Sequence, residues 1–515
     1  MQAITIHNPI LPGFNPDPNI LKVDETYYIA VSSFEWLPGI RVYASKELVN
    51  WQHCTDILTT QVDLSGNGEG GSIWAPQLSY ADGLFYCIYT DVKNAQGPFK
   101  DCNNYLITAP EITGPWSQPV YVNSSGFDPS LFHDDDGRKW FVNELWDHRM
   151  TTSNKSCGIV LQEYSTARKA LIGPRYKIFD GTALAKTEAP QLYKHHGCYY
   201  LMTAEGGTGH DHSVTVCRAE TITGPYTVMP GDSLLTARDK PESPLQCSGH
   251  ASLVEGVGEH WYIAYLCTRP IGGQHILGRE TALQEVRWTQ DGWLETVDPG
   301  NGPTLTPVVY TQHPVTQVQH LDFHDDFKAH TLDPQWNVLR KYPADWLDLS
   351  GDHLQIKGGQ SPTSAFSHHL LAIRQNAFDF TAECRLRFKP ETFNQLAGLM
   401  LFLDQQRYLY LHLTATEDVA TPVAQLSRYQ GGQDYWLSDT VAVSAEQIGL
   451  RFVVQGLSCQ AFIQDGDQAW QTLGPIQDLG FLSGGFTGNF VGIAAHDIDL
   501  YNGITADFYR FDYTV

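Results

Sequence analysis

Glu25-Thr-Tyr-Tyr-Ile-Ala-Val31 sets an aromatic pair just after a polar turn and then alternates its side chains, the pattern of a half-buried strand. The same arrangement returns at Phe85-Tyr86, Trp140-Phe141, Tyr199-Tyr200 (within Gly197-Cys-Tyr-Tyr-Leu-Met-Thr-Ala204) and Trp261-Tyr262. The first aromatics lie 58, 55, 59 and 62 residues apart, with turn residues punctuating the stretches between. A unit of this length built from strand and turn is one blade of four strands, so the repeat predicts a five-bladed β-propeller over residues 1–305.

The repeat also phases a second set of residues. Ten to twelve positions before each aromatic pair stands a tract of common form: Asp17-Pro-Asn-Ile-Leu, Trp74-Ala-Pro-Gln-Leu, Asp128-Pro-Ser-Leu-Phe, Glu188-Ala-Pro-Gln-Leu and His250-Ala-Ser-Leu-Val. A single Asp-Pro pair is ordinary strand-opening turn chemistry. Five tracts in register are not, and if each opens the innermost strand of its blade the lead residues converge at one end of the axis. Three carboxylates, an imidazole and an indole then share a pocket, which is the equipment for glycosidic cleavage by an acid and a base. In a ring of five, Asp128 and Glu188 stand on neighbouring blades, so like charge raises the proton affinity of one of them and favours Glu188 as general acid. Asp17 has no carboxylate on either neighbouring blade and is expected to stay ionised as the base. Blades one and four are not adjacent, which favours the wide carboxylate separation of roughly 6.5–9.5 Å and inversion at the anomeric carbon.

Composition agrees with a globular chain. Of 515 residues 42% are hydrophobic, 12% aromatic and only 17% charged, so large cores can form and extensive disorder is excluded. The net charge of −24 disfavours nucleic acid and anionic membrane surfaces. No export signal or apolar span is read, and ten cysteines spaced singly fit free thiols in a reducing compartment, so a cytoplasmic enzyme fed by imported substrate is expected. The blade period stops at a stretch holding Pro299, Pro303, Pro307 and Pro314, and residues 306–320 are expected to be a linker. Alternating runs return in Phe378-Asp-Phe-Thr-Ala-Glu-Cys-Arg-Leu-Arg-Phe388 and Tyr408-Leu-Tyr-Leu-His-Leu413. Residues 321–515 therefore read as a two-sheet, jelly-roll-like β-sandwich, making the chain all-β.

Asn8-Pro-Ile-Leu-Pro-Gly-Phe-Asn-Pro-Asp-Pro-Asn-Ile20, Ser33-Phe-Glu-Trp-Leu-Pro-Gly39, Phe127-Asp-Pro-Ser-Leu-Phe132, Thr187-Glu-Ala-Pro190, Thr203-Ala-Glu-Gly-Gly-Thr-Gly209 and Leu277-Gly-Arg-Glu-Thr281 together resemble the β-xylosidases of glycoside hydrolase family 43 across essentially the whole chain. The resemblance implies an inverting exo-enzyme that releases D-xylose from the non-reducing ends of short β-1,4-xylo-oligosaccharides. By it Asp17 is the base, Glu188 the acid, and Asp128 the residue that tunes the acid and orients substrate. It further implies that Arg279 holds sugar hydroxyls, that His250 sits at the pocket floor, and that Phe34, Trp74 and Trp146 are aromatic walls. A phenylalanine from the sandwich closes the pocket in such enzymes, and Phe486 is the candidate, with Phe490 second. The family also implies a homo-oligomer, dimer or tetramer, and some members hold calcium near the axial histidine, so a Ca²⁺ near His250 is carried as an expectation while the chemistry itself requires no cofactor.

Other readings stay open at this level. An α-L-arabinofuranosidase or a dual-activity enzyme fits the same residues, because the two sugars present similar hydroxyls. A fructan-active retaining enzyme is only faintly echoed by Phe14-Asn-Pro-Asp-Pro-Asn19. A non-catalytic sugar-binding propeller has no need of intact acid and base, and a scaffold has no need of three axial carboxylates. The sandwich alone also suits a carbohydrate-binding module that adds avidity on polymer. The histidine clusters His195-His196, His210/His212 and His368-His369 lack zinc spacing and are expected in surface loops, and Glu205-Gly-Gly-Thr-Gly209 is expected to form a tight loop at the pocket rim.

Overall fold

The computed structural model describes residues 1–231, 233–316, 321–417, 421–498 and 503–515. Five antiparallel sheets follow one another along the chain. Their innermost strands are Asn19–Val23, Ser72–Ala81, Ser130–His133, Glu188–His195 and Gln246–Glu255, and each touches the next around a closed ring, the last returning to the first. In every blade the aromatic pair begins the second strand: Thr26–Val31, Leu84–Asn94, Lys139–Trp146, Cys198–Glu205 and Trp261–Thr268. One face of that strand packs between blades, as Ile29 and Val31 do against Tyr262 and Ala264 of blade five. The period of the sequence is thus the period of the five-bladed propeller.

The ring is closed by residues that belong to no blade. Gln2–Thr5 pairs antiparallel with Val308–Thr311. Ahead of blade one, the Asn8 carboxamide donates to the carbonyls of Leu283 and Thr304, both at 2.8 Å, and accepts from the Leu283 amide at 2.9 Å. The expected linker therefore needs correction: inside 306–320, Val308–Thr311 is a strand, because the β-branched, alternating Val-Val-Tyr-Thr run between Pro307 and Pro314 finds the free edge of the N-terminal strand. Residues 317–320 of that segment lie outside the described residues.

The C-terminal part consists of two sheets. One runs Leu347–Asp348, Leu354–Lys357, Thr505–Thr514, Phe380–Arg387, Ile448–Gln455, Ser458–Asp465 and Gln471–Asp478; the other is centred on Arg407–Ala415, Gln395–Asp404, Phe490–Asp497 and Leu370–Arg374. Alternation decides which side chains meet between them. Phe380, Ala382, Cys384 and Leu386 from the first sheet join Leu409, Leu411 and Leu413 from the second in one core. The opposite face of the second sheet carries Met400, Phe402, Tyr408, Tyr410 and Phe490, which pack against Phe14, Phe34, Trp36 and Trp74 of the propeller. Trp36–Leu37 even pairs with Asn337–Leu339, so a propeller loop extends a sandwich sheet. The only helix among the described residues is the single 3-10 turn Leu479–Phe481.

The histidines depart from expectation. His196 and His210 are exposed, but His212, His368 and His369 are buried, because each is carried into the interior beside a strand where burial keeps it neutral. All ten cysteines are free.

Candidate active site

The five phased residues meet. Asp17, Trp74, Asp128, Glu188 and His250 line one cavity of ≈ 220 Å³ together with Phe34, Arg279 and Phe486. This is a little below the roughly 300–1,000 Å³ of common ligand clefts, room for a small molecule. The backbone explains the convergence. Asp17, Asp128 and His250 have φ of 56°, 51° and 50°, and after Trp74 and Glu188 it is Ala75 and Ala189 that are left-handed, at 36° and 53°. A non-glycine residue held there is strained by about 1–3 kcal/mol, and here the strain recurs at the phased residue or the one after it in each blade, turning the chain at the mouth of the axis before or within the innermost strand.

Asp17 is held as an anion. Its Oδ2 accepts from the Ser32 hydroxyl at 2.7 Å, its Oδ1 accepts from Arg279 Nη1 at 2.5 Å, and His250 Nδ1 stands 3.5 Å from the same oxygen. Burial pushes the carboxyl up, but the charge of Arg279, with His250 and the hydrogen bonds from Ser32 and Arg279, outweighs it and holds Asp17 below the ordinary aspartate value. Ser32 also accepts from the Ala75 amide at 2.7 Å, so the group that orients Asp17 is itself fixed by the second blade.

Glu188 has the opposite environment. Burial pushes it up to about 7, with the Asp17 charge adding to the rise and Lys100, Arg279 and Lys186 opposing it. Asp128 is raised well above the ordinary value by burial first and then by Glu188 and Asp17, and its Oδ2 accepts from the Ala189 amide at 3.1 Å. Asp128 therefore grips the backbone directly after Glu188. On the other side, Thr187 donates to both carboxylate oxygens of buried Glu205 at 3.1 Å. Glu205 opens the glycine loop, whose Gly207 and Thr208 line the cavity.

Of the aromatic residues singled out in the sequence, Phe34 and Trp74 line the cavity, their ring centroids 5.9 Å apart. Phe486 reaches in from the sandwich and stacks on Phe34 at 6.3 Å and 23°. Phe490 does not: it lies under the cavity, stacked on Trp36 at 3.7 Å, because strand Phe490–Asp497 holds it between the domains. Trp146 is also one layer out and is not among the residues lining the cavity. Its indole N–H donates to the Pro98 carbonyl and its ring carries Lys100 Nζ, 4.2 Å from the centroid. Lys100, which no pattern in the sequence marked, spans the rings of Trp74, Phe127 and Trp146 and faces the pocket.

Beside His250 stands the Asp17 carboxylate, 3.5 Å from Nδ1 and already engaged by Arg279 and Ser32. A calcium ion takes six to eight oxygens, and among the described residues no group of three or more His, Cys, Asp or Glu is arranged to hold a metal. The side chains beside His250 do not by themselves complete such a shell.

Residues 6–294 match the profile of Glycosyl hydrolases family 43, and residues 324–514 match the Beta xylosidase C-terminal Concanavalin A-like domain. The chain is 40% identical to Xylosidase/arabinosidase 43B of Humicola insolens, covering 99% of this chain and 97% of that one, and 38% identical to Beta-xylosidase of Bacillus subtilis (strain 168), covering 99% of each. The crystal structure of xylan beta-1,4-xylosidase from Bacillus halodurans C-125 superposes with a TM-score of 0.95 at 44% identity, over 99% of this chain and 100% of that one.

Proposed function

The chain belongs to glycosyl hydrolase family 43, and from that premise we propose that it is an inverting, exo-acting β-xylosidase releasing D-xylose from the non-reducing ends of short β-1,4-xylo-oligosaccharides. The observation that carries the reading is the pairing, in one small cavity, of an aspartate held ionised with a buried glutamate held protonated up to about pH 7. Glu188 gives its proton to the glycosidic oxygen as the bond to the anomeric carbon breaks. Asp17 takes a proton from a water that attacks the opposite face, so the released sugar has inverted configuration. Arg279 balances the Asp17 charge before attack. Asp128 fixes the backbone behind Glu188, and Phe34, Trp74 and Phe486 enclose the apolar faces of one sugar ring.

An arabinofuranosidase activity in the same pocket is the second reading, favoured by the name of the Humicola relative, which joins both activities. The ten unpaired cysteines fit work in a reducing compartment on imported oligosaccharides. Among the described residues no helix is long and apolar enough to cross a membrane.

Proton NMR of enzyme freshly mixed with xylobiose tests the reading. α-Xylose is expected first. β-Xylose first overturns inversion, and cleavage of an aryl arabinofuranoside with xylobiose left intact replaces the substrate.

A further inference from the structure

Phe486 belongs to a strap, residues 483–488, that leaves the sandwich, crosses the cavity and returns to strand Phe490–Asp497. On the propeller side the strap is pressed close. A Cβ on Gly278 would lie 2.6 Å from Gly488 Cα, Arg279 Nε donates to the Phe486 carbonyl at 3.1 Å, and the His275 amide donates to Ser483 Oγ at 2.8 Å. Something must hold the strap from the other side, since Gly484 and Gly485 follow each other with φ of 96° and 82° and supply no side chain to anchor it.

Arg407 stands there. It begins strand Arg407–Ala415, just past a tight turn from Asp404, and its guanidinium donates to Asp404 Oδ2 from Nε at 3.0 Å and from Nη2 at 2.5 Å. That pair alone would be a hairpin ornament. Yet Nη1 also donates to the Ser483 carbonyl at 2.5 Å, and Nη2 reaches the Gly484 carbonyl at 3.3 Å, contacts 76 and 77 residues away that the hairpin does not require. Glu69 Oε1 of the propeller lies 3.8 Å from Nη2, and the next residue, Gly70, gives its carbonyl to the Trp74 indole and lies against the Phe486 ring. The planar fork thus ties together a sandwich hairpin, the strap and the propeller loop that holds Trp74.

We propose that Arg407 is a positioning residue that clamps the strap, so that Phe486 stands as a preset wall of the sugar pocket. The proposal rests on the reading of that pocket as a glycosidase site. Arg407 does not line the cavity, so it acts on catalysis through Phe486, which does. Loss of the clamp is then a loss of preorganisation, felt in binding of the ring more than in the chemical step.

A double-mutant cycle of R407A and F486A, assayed on xylobiose and on aryl β-xyloside and arabinofuranoside, separates this from a structural role. R407A is expected to raise KM roughly three- to thirty-fold with kcat nearly kept, and to add nothing to F486A, the two effects collapsing into one. R407K, which keeps one donor for the strap, recovers part of the loss. Hydrogen exchange at residues 483–488 should quicken in R407A, a readout independent of substrate. If R407A does not fold, R407K takes its place in the cycle. Additive effects, or unchanged exchange in the strap, overturn the clamp; an inactive wild type on both sugars overturns the glycosidase reading while the exchange result still decides the clamp.

Discussion

Asp17 and Glu188 carry opposite protonation for reasons that can be titrated. In the proposed mechanism Glu188 works protonated and is raised to about 7, so kcat/KM is expected to fall as pH rises through about 7; Asp17 works ionised and is lowered, so activity is expected to persist down to below the ordinary aspartate range. Lys100 is the first of the charges that oppose the rise of Glu188, and K100M is expected to move the alkaline limb of the kcat/KM profile upward. A limb that stays in place would sever Lys100 from the acid. E188Q should lower kcat ~10²–10⁴-fold with the fold intact by circular dichroism. Glu144 offers a stability test. Burial raises it to about 8 from an ordinary 4.5, against the opposing hydrogen bonds of Ser156 and the Phe127 amide. With the folded value above the unfolded one, its contribution is complete below about 4.5 and lost as pH rises to about 8, so E144Q should gain melting temperature relative to wild type near pH 9 but not near pH 4. The phased residues were legible because turn chemistry recurs at one position of a repeat. Lys100 was not, since it sits in an irregular loop and its role exists only where the rings of three separate segments meet beneath it.

At the scale of elements, the blade is the unit that both sequence and structure count. An aromatic pair opens the second strand of every blade, and a left-handed residue lies at or beside the phased position at the axial end. The ring, however, is sealed by a segment with no repeat signature. Asn8 satisfies three backbone groups of blade five and its flank, and N8A leaves the two of Leu283 buried and that of Thr304 part-buried without this partner, which is expected to cost about 2–4 kcal/mol in urea unfolding with little change in the folded far-UV spectrum. A loss under about 0.5 kcal/mol would place the seal elsewhere. Strand Val308–Thr311 is not legible within the linker because prolines flank it, and a four-residue alternation declares itself a strand only when a partner edge is in view.

Across the whole molecule the two domains do not merely touch. A contiguous hydrophobic core runs from Ile40, Ile57 and Ile73 of the propeller to Leu399, Leu411 and Phe452 of the sandwich, and Trp36 lies flat on Phe490 between them. Calorimetry is therefore expected to show one unfolding transition, and W36A, emptying the largest side chain at the junction, to lower stability by about 3–5 kcal/mol. Two resolved transitions would mean that the halves fold independently. Residues 1–305 alone should fail to give an active enzyme, both because Phe14, Phe34 and Trp36 lose their cover and because Phe486 is missing from the cavity.

The sequence by itself determined the blade count, the strand phase and the identity of the axial residues, because each is a local pattern repeated five times and repetition needs no partner to be read. Only the tertiary structure decided that Arg279 joins Asp17 to the Phe486 backbone, that Phe490 is a pillar rather than a lid, that Trp146 stands behind Lys100, and that Arg407 holds the strap. Those contacts link positions between 46 and 454 residues apart. No periodicity encodes such pairs; they follow from how the outer face of a sandwich sheet meets the open end of the propeller.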